Sequence, residues 1–169
     1  MELLAQAIDV VQSDYRALII HNDSPHFSVG VNIQNVLENA QREAWADIEG
    51  MLVDFQQTCR KLKYAPFPVI GAPSGMSLGG GFEVLLHCDL VVAHANTVTG
   101  LVEPQVGLIP SGGGCKEMLF RWSKKFTSPR ELAVKVFKII GPARTASSPV
   151  EAEPFLFFLP HDKSVMNRD

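Results

Sequence analysis

Cysteine is scarce in this 169-residue sequence and falls in no recognisable pattern. Cys59, Cys88 and Cys115 are odd in number and far apart, so they supply neither a disulfide framework nor a CxxC metal pair. Packed thiols in a reducing compartment are the expectation. Blocks of basic residues are missing as well. The formal net charge is -3 and Lys124-Lys125 is an isolated pair, which leaves no electrostatic footprint for nucleic acid or an anionic membrane. No apolar run approaches the roughly 20 residues a membrane helix needs. The opening MELLAQAIDVVQ has no basic flank ahead of an apolar block, so it does not read as a secretory signal. A cytoplasmic protein with neither nucleic acid nor membrane as partner is expected. His21, His26, His87 and His94 form no HExxH, and no nearby cysteine completes a zinc set. They read as packed or surface histidines, and no metal is expected.

What the sequence does contain is an ordinary globular composition, 46% hydrophobic and 20% charged, in a length suited to one domain with a substantial core. Leu3, Leu4, Ala7, Ile8 and Val11 carry the spacing of an amphipathic helix. Ala17–Ile20, Val69–Ala72 and Leu90–Ala93 are short apolar runs of strand length. Residues 36–63 read as one long or two broken helices, stopped by Pro66 and Pro68. Further helices are predicted over 82–87, 116–122 and 130–140, with turns at 96–100 and 110–114. Strand, glycine turn, helix and strand in quick succession indicate an α/β chain. Beyond Gly141-Pro142 the sequence reads as Ser/Pro-rich loop, then as the apolar PFLFFLP patch, expected to dock on a core. Trp45, Trp122 and the ten phenylalanines read as core rather than as a stacking platform.

The stretch SGMSLGGGFE, Ser74–Glu83, holds three consecutive glycines and then an acid. Val84 stands where a dinucleotide fingerprint needs glycine, and Gly81-Phe82 stands where a P-loop needs Lys and Ser/Thr. Neither Ser74 nor Ser111 sits in a G-x-S-x-G elbow. Two readings remain: a tight strand-to-helix turn without a ligand, or an open helix N-terminus whose free N–H groups face a ligand oxygen. Glu83 falls in the first turn of that helix. Glu103, in Gly100-Leu101-Val102-Glu103-Pro104, is a second lone acid among apolar residues. Two such acids, each near a glycine-rich turn, suit paired general acid/base work.

Four stretches together resemble the enoyl-CoA hydratase (crotonase) family. They are Ala17–Ile20 with His26–Ile33, Pro68–Glu83, His87–Leu90, and Gly100–Gly114, in matching order over residues 3–122. Lys116-Glu117 and the end at His161–Asp169 are similar to the hydratase part of fused hydratase/3-hydroxyacyl-CoA dehydrogenase proteins. The resemblance implies a repeated ββα core over residues 1–145, with an irregular tail at 146–169. The core is expected to be truncated at both ends, because the family's N-terminal strands would precede Met1 and its C-terminal helices are absent or rewritten.

By the same resemblance, the oxyanion donors are the main-chain amides of Val31 and Gly80. Glu83 positions and activates a water for attack at C3 of a 2-enoyl thioester, and Glu103 supplies the proton to C2. Ser28, Val31, Asn32, Ile33 and Gln34 border the CoA moiety, with Gly80 at the thioester. The implied partners are an acyl-CoA substrate and further copies of the chain in a trimer-based assembly, or a larger β-oxidation protein. No cofactor is implied beyond the CoA of the substrate. Two departures stand out: Val31 replaces the family's alanine, and Asn32 its aspartate. An isomerase or thioester hydrolase of the same superfamily and a non-catalytic acyl-CoA-binding or assembly module remain as alternatives.

Overall fold

The computed structural model describes residues 2–167. The chain runs through α1 (Glu2–Asp14), β1 (Leu18–Ile20), α2 (Ile33–Gln41), α3 (Trp45–Lys63), β2 (Val69–Gly71), β3 (Met76–Leu78), α4 (Gly80–Leu86), β4 (Leu90–His94) and β5 (Val98–Gly100). After a 3-10 turn at Glu103–Val106 come α5 (Gly114–Ser123), α6 (Pro129–Ile140), β6 (Thr145–Ala146), α7 (Pro149–Ala152) and β7 (Lys163–Val165).

Two small sheets organise these elements. β1, β2, β4 and β7 form one, with every neighbouring pair parallel; β3, β5 and β6 form the other. Each repeat places its first strand in the first sheet and its second strand in the other, then crosses back through helix. β2, β3 and α4 make one such unit, and β4 and β5 begin the next. The unit before them is abbreviated: after β1, Ser28 makes a single parallel bridge to Ser77 of β3. This is the α/β, repeated ββα architecture expected from the sequence.

α4 is the axle of the molecule. Residues 81–86 are all buried, which suits a short helix apolar on every side. Phe82, Leu85 and Leu86 belong to a cluster with Leu101, Met118, Trp122 and Phe157, whereas Val84 joins Ile8, Phe55, Cys59 and Leu62 on the other flank. Phe157 and Phe158 are buried, so the PFLFFLP patch docks on the core.

Local expectations are corrected in four places. Trp45, Phe120 and Phe137, read as core, are exposed on the outer faces of their helices. Of the two readings of 36–63, the pair of helices holds, but the first starts earlier, at Ile33, because Asn32 accepts the Asn35 amide as an N-cap. Asn96–Gly100 is not all turn: Val98–Gly100 pairs with β3, and the Thr99 hydroxyl points inward. The stretch after Pro142 is not all loop either. It contributes β6, α7 and β7, and Asp162 fastens it by accepting the amides of Val91 at 2.8 Å and Leu159 at 2.7 Å.

A Cβ added at Gly81 would stand 2.5 Å from the Ser28 Cβ and 2.7 Å from its carbonyl oxygen. Gly81→Ala is therefore expected to cost about 1–3 kcal/mol by overpacking, lowering the thermal midpoint by about 2–4 °C per kcal/mol. An unchanged midpoint in a thermal melt would contradict this packing.

Candidate active site

The glycine triplet is bare for three separate reasons. Gly79 adopts φ 54° and ψ -128°, a backbone that side chains disfavour, and a Cβ there would stand 3.3 Å from the Glu103 Oε1. The Glu103 carboxyl thus fills the space a side chain would take. At Gly80 a Cβ would meet the Phe55 ring at 3.2 Å and the Gly30 Cα at 3.8 Å, and Gly81 is pressed against Ser28. Gly80 is the first residue of α4, so its amide has no acceptor within the helix. From the facing loop, the Cβ position of Gly30 lies 3.3 Å from the Gly80 nitrogen, so the segment leading into Val31 lies against the start of α4. Neither the Val31 nor the Gly80 amide donates to a main-chain carbonyl among the described residues.

Glu83 points to the second glycine stretch. Its Oε1 accepts the Gly114 amide at 2.7 Å. Cβ atoms at Gly112 and Gly114 would stand 3.0 and 2.9 Å from its two oxygens. The PSGGG turn is thus a seat for this carboxylate at the N-terminus of α5, where helix amides lack partners and favour negative charge. Burial raises the Glu83 pKa, and the amides of Gly114, Gly112 and Gly113 oppose that rise. Phe55, which sequence reasoning passed over, wedges between the two turns, because a Cβ at Gly112 would come within 2.5 Å of its ring. Nothing in its local sequence marks it; the signal lies in the two glycine runs that clear space for it.

Glu103, at the head of its 3-10 turn, is treated differently. Both carboxyl oxygens are buried and neither has a hydrogen-bond partner. Its pKa is pushed up to about 7, by burial first and also by the charge of Glu83; the nearby amides of Glu103 and Val102 temper the rise without reaching hydrogen-bond geometry. The two acids therefore sense one another while one is seated and the other is left free.

The polar ends of the other expected residues are engaged locally. The Ser28 hydroxyl accepts the Gly30 amide at 3.3 Å, Asn32 caps α2, and Gln34 donates to Glu38 at 2.9 Å. Val31 and Ile33 are exposed. A cavity of about 400 Å³ opens over Gly112 and Gly113, between Gln56, Arg60, Tyr64 and Lys116. It borders the seat of Glu83 rather than Glu103. Among the described residues no group of His, Cys, Asp and Glu side chains is placed to hold a metal ion, and no helix is long and apolar enough to cross a membrane.

The profile of the enoyl-CoA hydratase/isomerase family matches residues 1–126. The chain is 32% identical over 169 residues to a probable 3-hydroxyacyl-CoA dehydrogenase of Bacillus subtilis, covering all of this chain and 21% of that protein. It is 31% identical to the mitochondrial methylglutaconyl-CoA hydratase of Homo sapiens, over 70% of this chain and 34% of that protein. The fold superposes on an enoyl-CoA hydratase from Polaromonas sp. JS666 with a TM-score of 0.78 at 23% identity, covering 97% of this chain and 60% of the other. The chain therefore spans about a fifth to a third of the two curated relatives and 60% of that solved structure.

The solvation of Glu103 has a consequence for stability. Its pKa is about 7 in the folded chain against an ordinary 4.5, so between those values the folded state holds a proton that the unfolded state has released. This contribution is complete at low pH and is lost as pH rises through about 7. Glu103→Gln is expected to flatten the fall of thermal midpoint with rising pH across this window, as read by melts in a buffer series. An unaltered slope would contradict it.

Proposed function

The chain belongs to the enoyl-CoA hydratase/isomerase family, and we propose that it adds water across the C2=C3 bond of a 2-enoyl-CoA thioester. The single observation that carries this reading is the Glu103 carboxyl, buried with both oxygens unpartnered beside the Gly79-Gly80 turn. Leaving a buried carboxyl unsatisfied is costly, and a substrate or a water supplies what is missing.

In this reading the thioester oxygen lies against the amides of Gly80 and Val31. Each such donor contributes about 2.7–4 kcal/mol when negative charge develops on that oxygen. Glu83, held on the amide of Gly114, orients a water and takes its proton as the oxygen attacks C3. Glu103 gives its proton to C2 as the enolate collapses. A carboxyl with a pKa of about 7 suits this step, because an acid matched to the working pH is both protonated and able to donate. The presence of two acids favours hydration over isomerisation, where one acid suffices for moving a proton. Ser28 and residues 31–34 would border the CoA portion, with Val31 and Ile33 offering apolar contact.

The chain's likeness to proteins named as fatty acid oxidation complex enzymes, and to a probable dehydrogenase of which it spans 21%, supports a place within a larger β-oxidation protein. Exposed Phe120, Ile109 and Phe137 support assembly with further protein. Three unpaired cysteines and a mildly acidic balance support a cytoplasmic setting.

Incubation with crotonyl-CoA is expected to bleach the enoyl-thioester absorbance and give a product heavier by one water. Glu83→Gln and Glu103→Gln are each expected to lower kcat by roughly 10²–10⁴-fold. A product of unchanged mass would replace hydration by isomerisation. Binding of the thioester without turnover, indifferent to Glu103→Gln, would leave only a binding module.

A further inference from the structure

His87 and Glu117 stand outside the reacting set, yet both are buried, with 3% and 2% of their surface exposed. α4 ends in a tight turn. The His87 amide donates to the Val84 carbonyl at 3.1 Å rather than to the Glu83 carbonyl one turn back, so the residue that bears the seated carboxylate lacks its helical donor. The His87 ring takes that place, its Nδ1 lying 2.7 Å from the Glu83 carbonyl oxygen. A carbonyl only accepts, so Nδ1 carries the hydrogen. Burial lowers the His87 pKa, and in the neutral ring Nε2 is therefore bare.

That Nε2 rests over the middle of the three-glycine seat, 3.0 Å from where a Cβ of Gly113 would stand. It faces the Glu117 Oε1 at 3.6 Å, too long for a hydrogen bond. Glu117 belongs to the first turns of α5, and its amide donates to the Gly113 carbonyl at 2.9 Å. Its carboxylate pairs with Lys63 at the end of α3 and with Lys116 at 3.0 Å. Burial would raise its pKa, but hydrogen bonds from the two lysines outweigh that and hold it low. His87 thus ties the end of α4 to the glycine seat, while Glu117 separately ties the start of α5 to the end of α3 through Lys63. The Glu117 carboxylate is buried while its lysine partners reach toward solvent, Lys116 most of all.

We infer that His87 and Glu117 are positioning residues: His87 fixes the Glu83 main chain against the glycine seat, and Glu117 ties the start of α5, which carries that seat, to the end of α3, so that the Glu83 carboxylate is held in its working place. The inference rests on the assignment of water activation to Glu83. His87 lines the cavity beside that seat, but its bond is to the Glu83 main chain, and Glu117 is bound to the two lysines, so each acts through another group. Displacement of a reacting group by about 1 Å costs up to roughly a hundredfold in rate, which sets the scale of the effect.

The test uses the full chain with Glu117→Gln, His87→Phe, His87→Asn and His87→Gln. Folding is checked by circular dichroism, and the Glu83 carboxyl is followed by carbon-13 NMR with Glu83→Gln as the assignment control. Glu117→Gln and His87→Phe are expected to lower kcat roughly ten- to a hundredfold with KM nearly unchanged, and to displace the Glu83 titration. His87→Asn, whose amide imitates Nδ1–H, is expected to recover most of the rate, whereas His87→Gln is not. Should His87→Phe fail to fold, the isosteric Glu117→Gln carries the comparison. Folded variants with unchanged kcat and an unchanged Glu83 titration would overturn the inference. If no version hydrates crotonyl-CoA, the proposed function fails, and the Glu83 titration alone decides this point.

Discussion

A single hydrogen bond organises this molecule: the amide of Gly114 donating to Glu83 at 2.7 Å. It joins a carboxylate on a helix buried from Gly81 onward to the free N-terminus of another. Placing an acid in the interior costs several kcal/mol unless it is paired or hydrogen-bonded, and here main-chain amides offset part of that cost. Much of the neighbouring sequence serves this contact. Gly112 and Gly114 have no side chains because the carboxylate occupies that space, and Phe55 fills the gap between the two glycine turns.

Glu103 shows the opposite solution. Its oxygens are buried and unpartnered, and its proton is retained until near neutrality. The hydroxyls of Ser74, Ser77 and Thr99 are also buried without partners, but a neutral hydroxyl loses far less by this than a carboxylate. One acid satisfied by the fold and another without a partner place two chemically similar side chains in different environments, and this difference supports the proposed division into base and acid.

Much of this was legible in the sequence, and the reasons are specific. The runs at 17–20, 69–72 and 90–93 are short and apolar enough to read as strands, and the GGG-x-E spacing places Glu83 in the first turn of a helix by arithmetic alone. Val98–Gly100 was missed because Asn-Thr-Val-Thr-Gly carries turn formers on both sides of a single apolar residue; only pairing with β3 makes it a strand. Asn32 read as a departure from a family pattern, and its role as a helix cap emerged only with the start of α2 at Ile33. The function of the PSGGG turn as a seat for an acid 31 residues earlier was not legible, because it exists only once α4 and α5 are packed. The same holds for His87, which reads as a packed histidine from sequence. It is packed, but what it packs against gives it a purpose.

The account stands on unequal solvation of the two acids, and the most direct measurement is the titration of the Glu103 carboxyl itself, by carbon-13 NMR on glutamate-labelled protein with Glu103→Gln as the assignment control. A midpoint near 7, moving downward when Glu83 is replaced by Gln and its charge is removed, is the predicted result. A midpoint in the ordinary carboxylate range of about 4.3, insensitive to Glu83, would contradict the account.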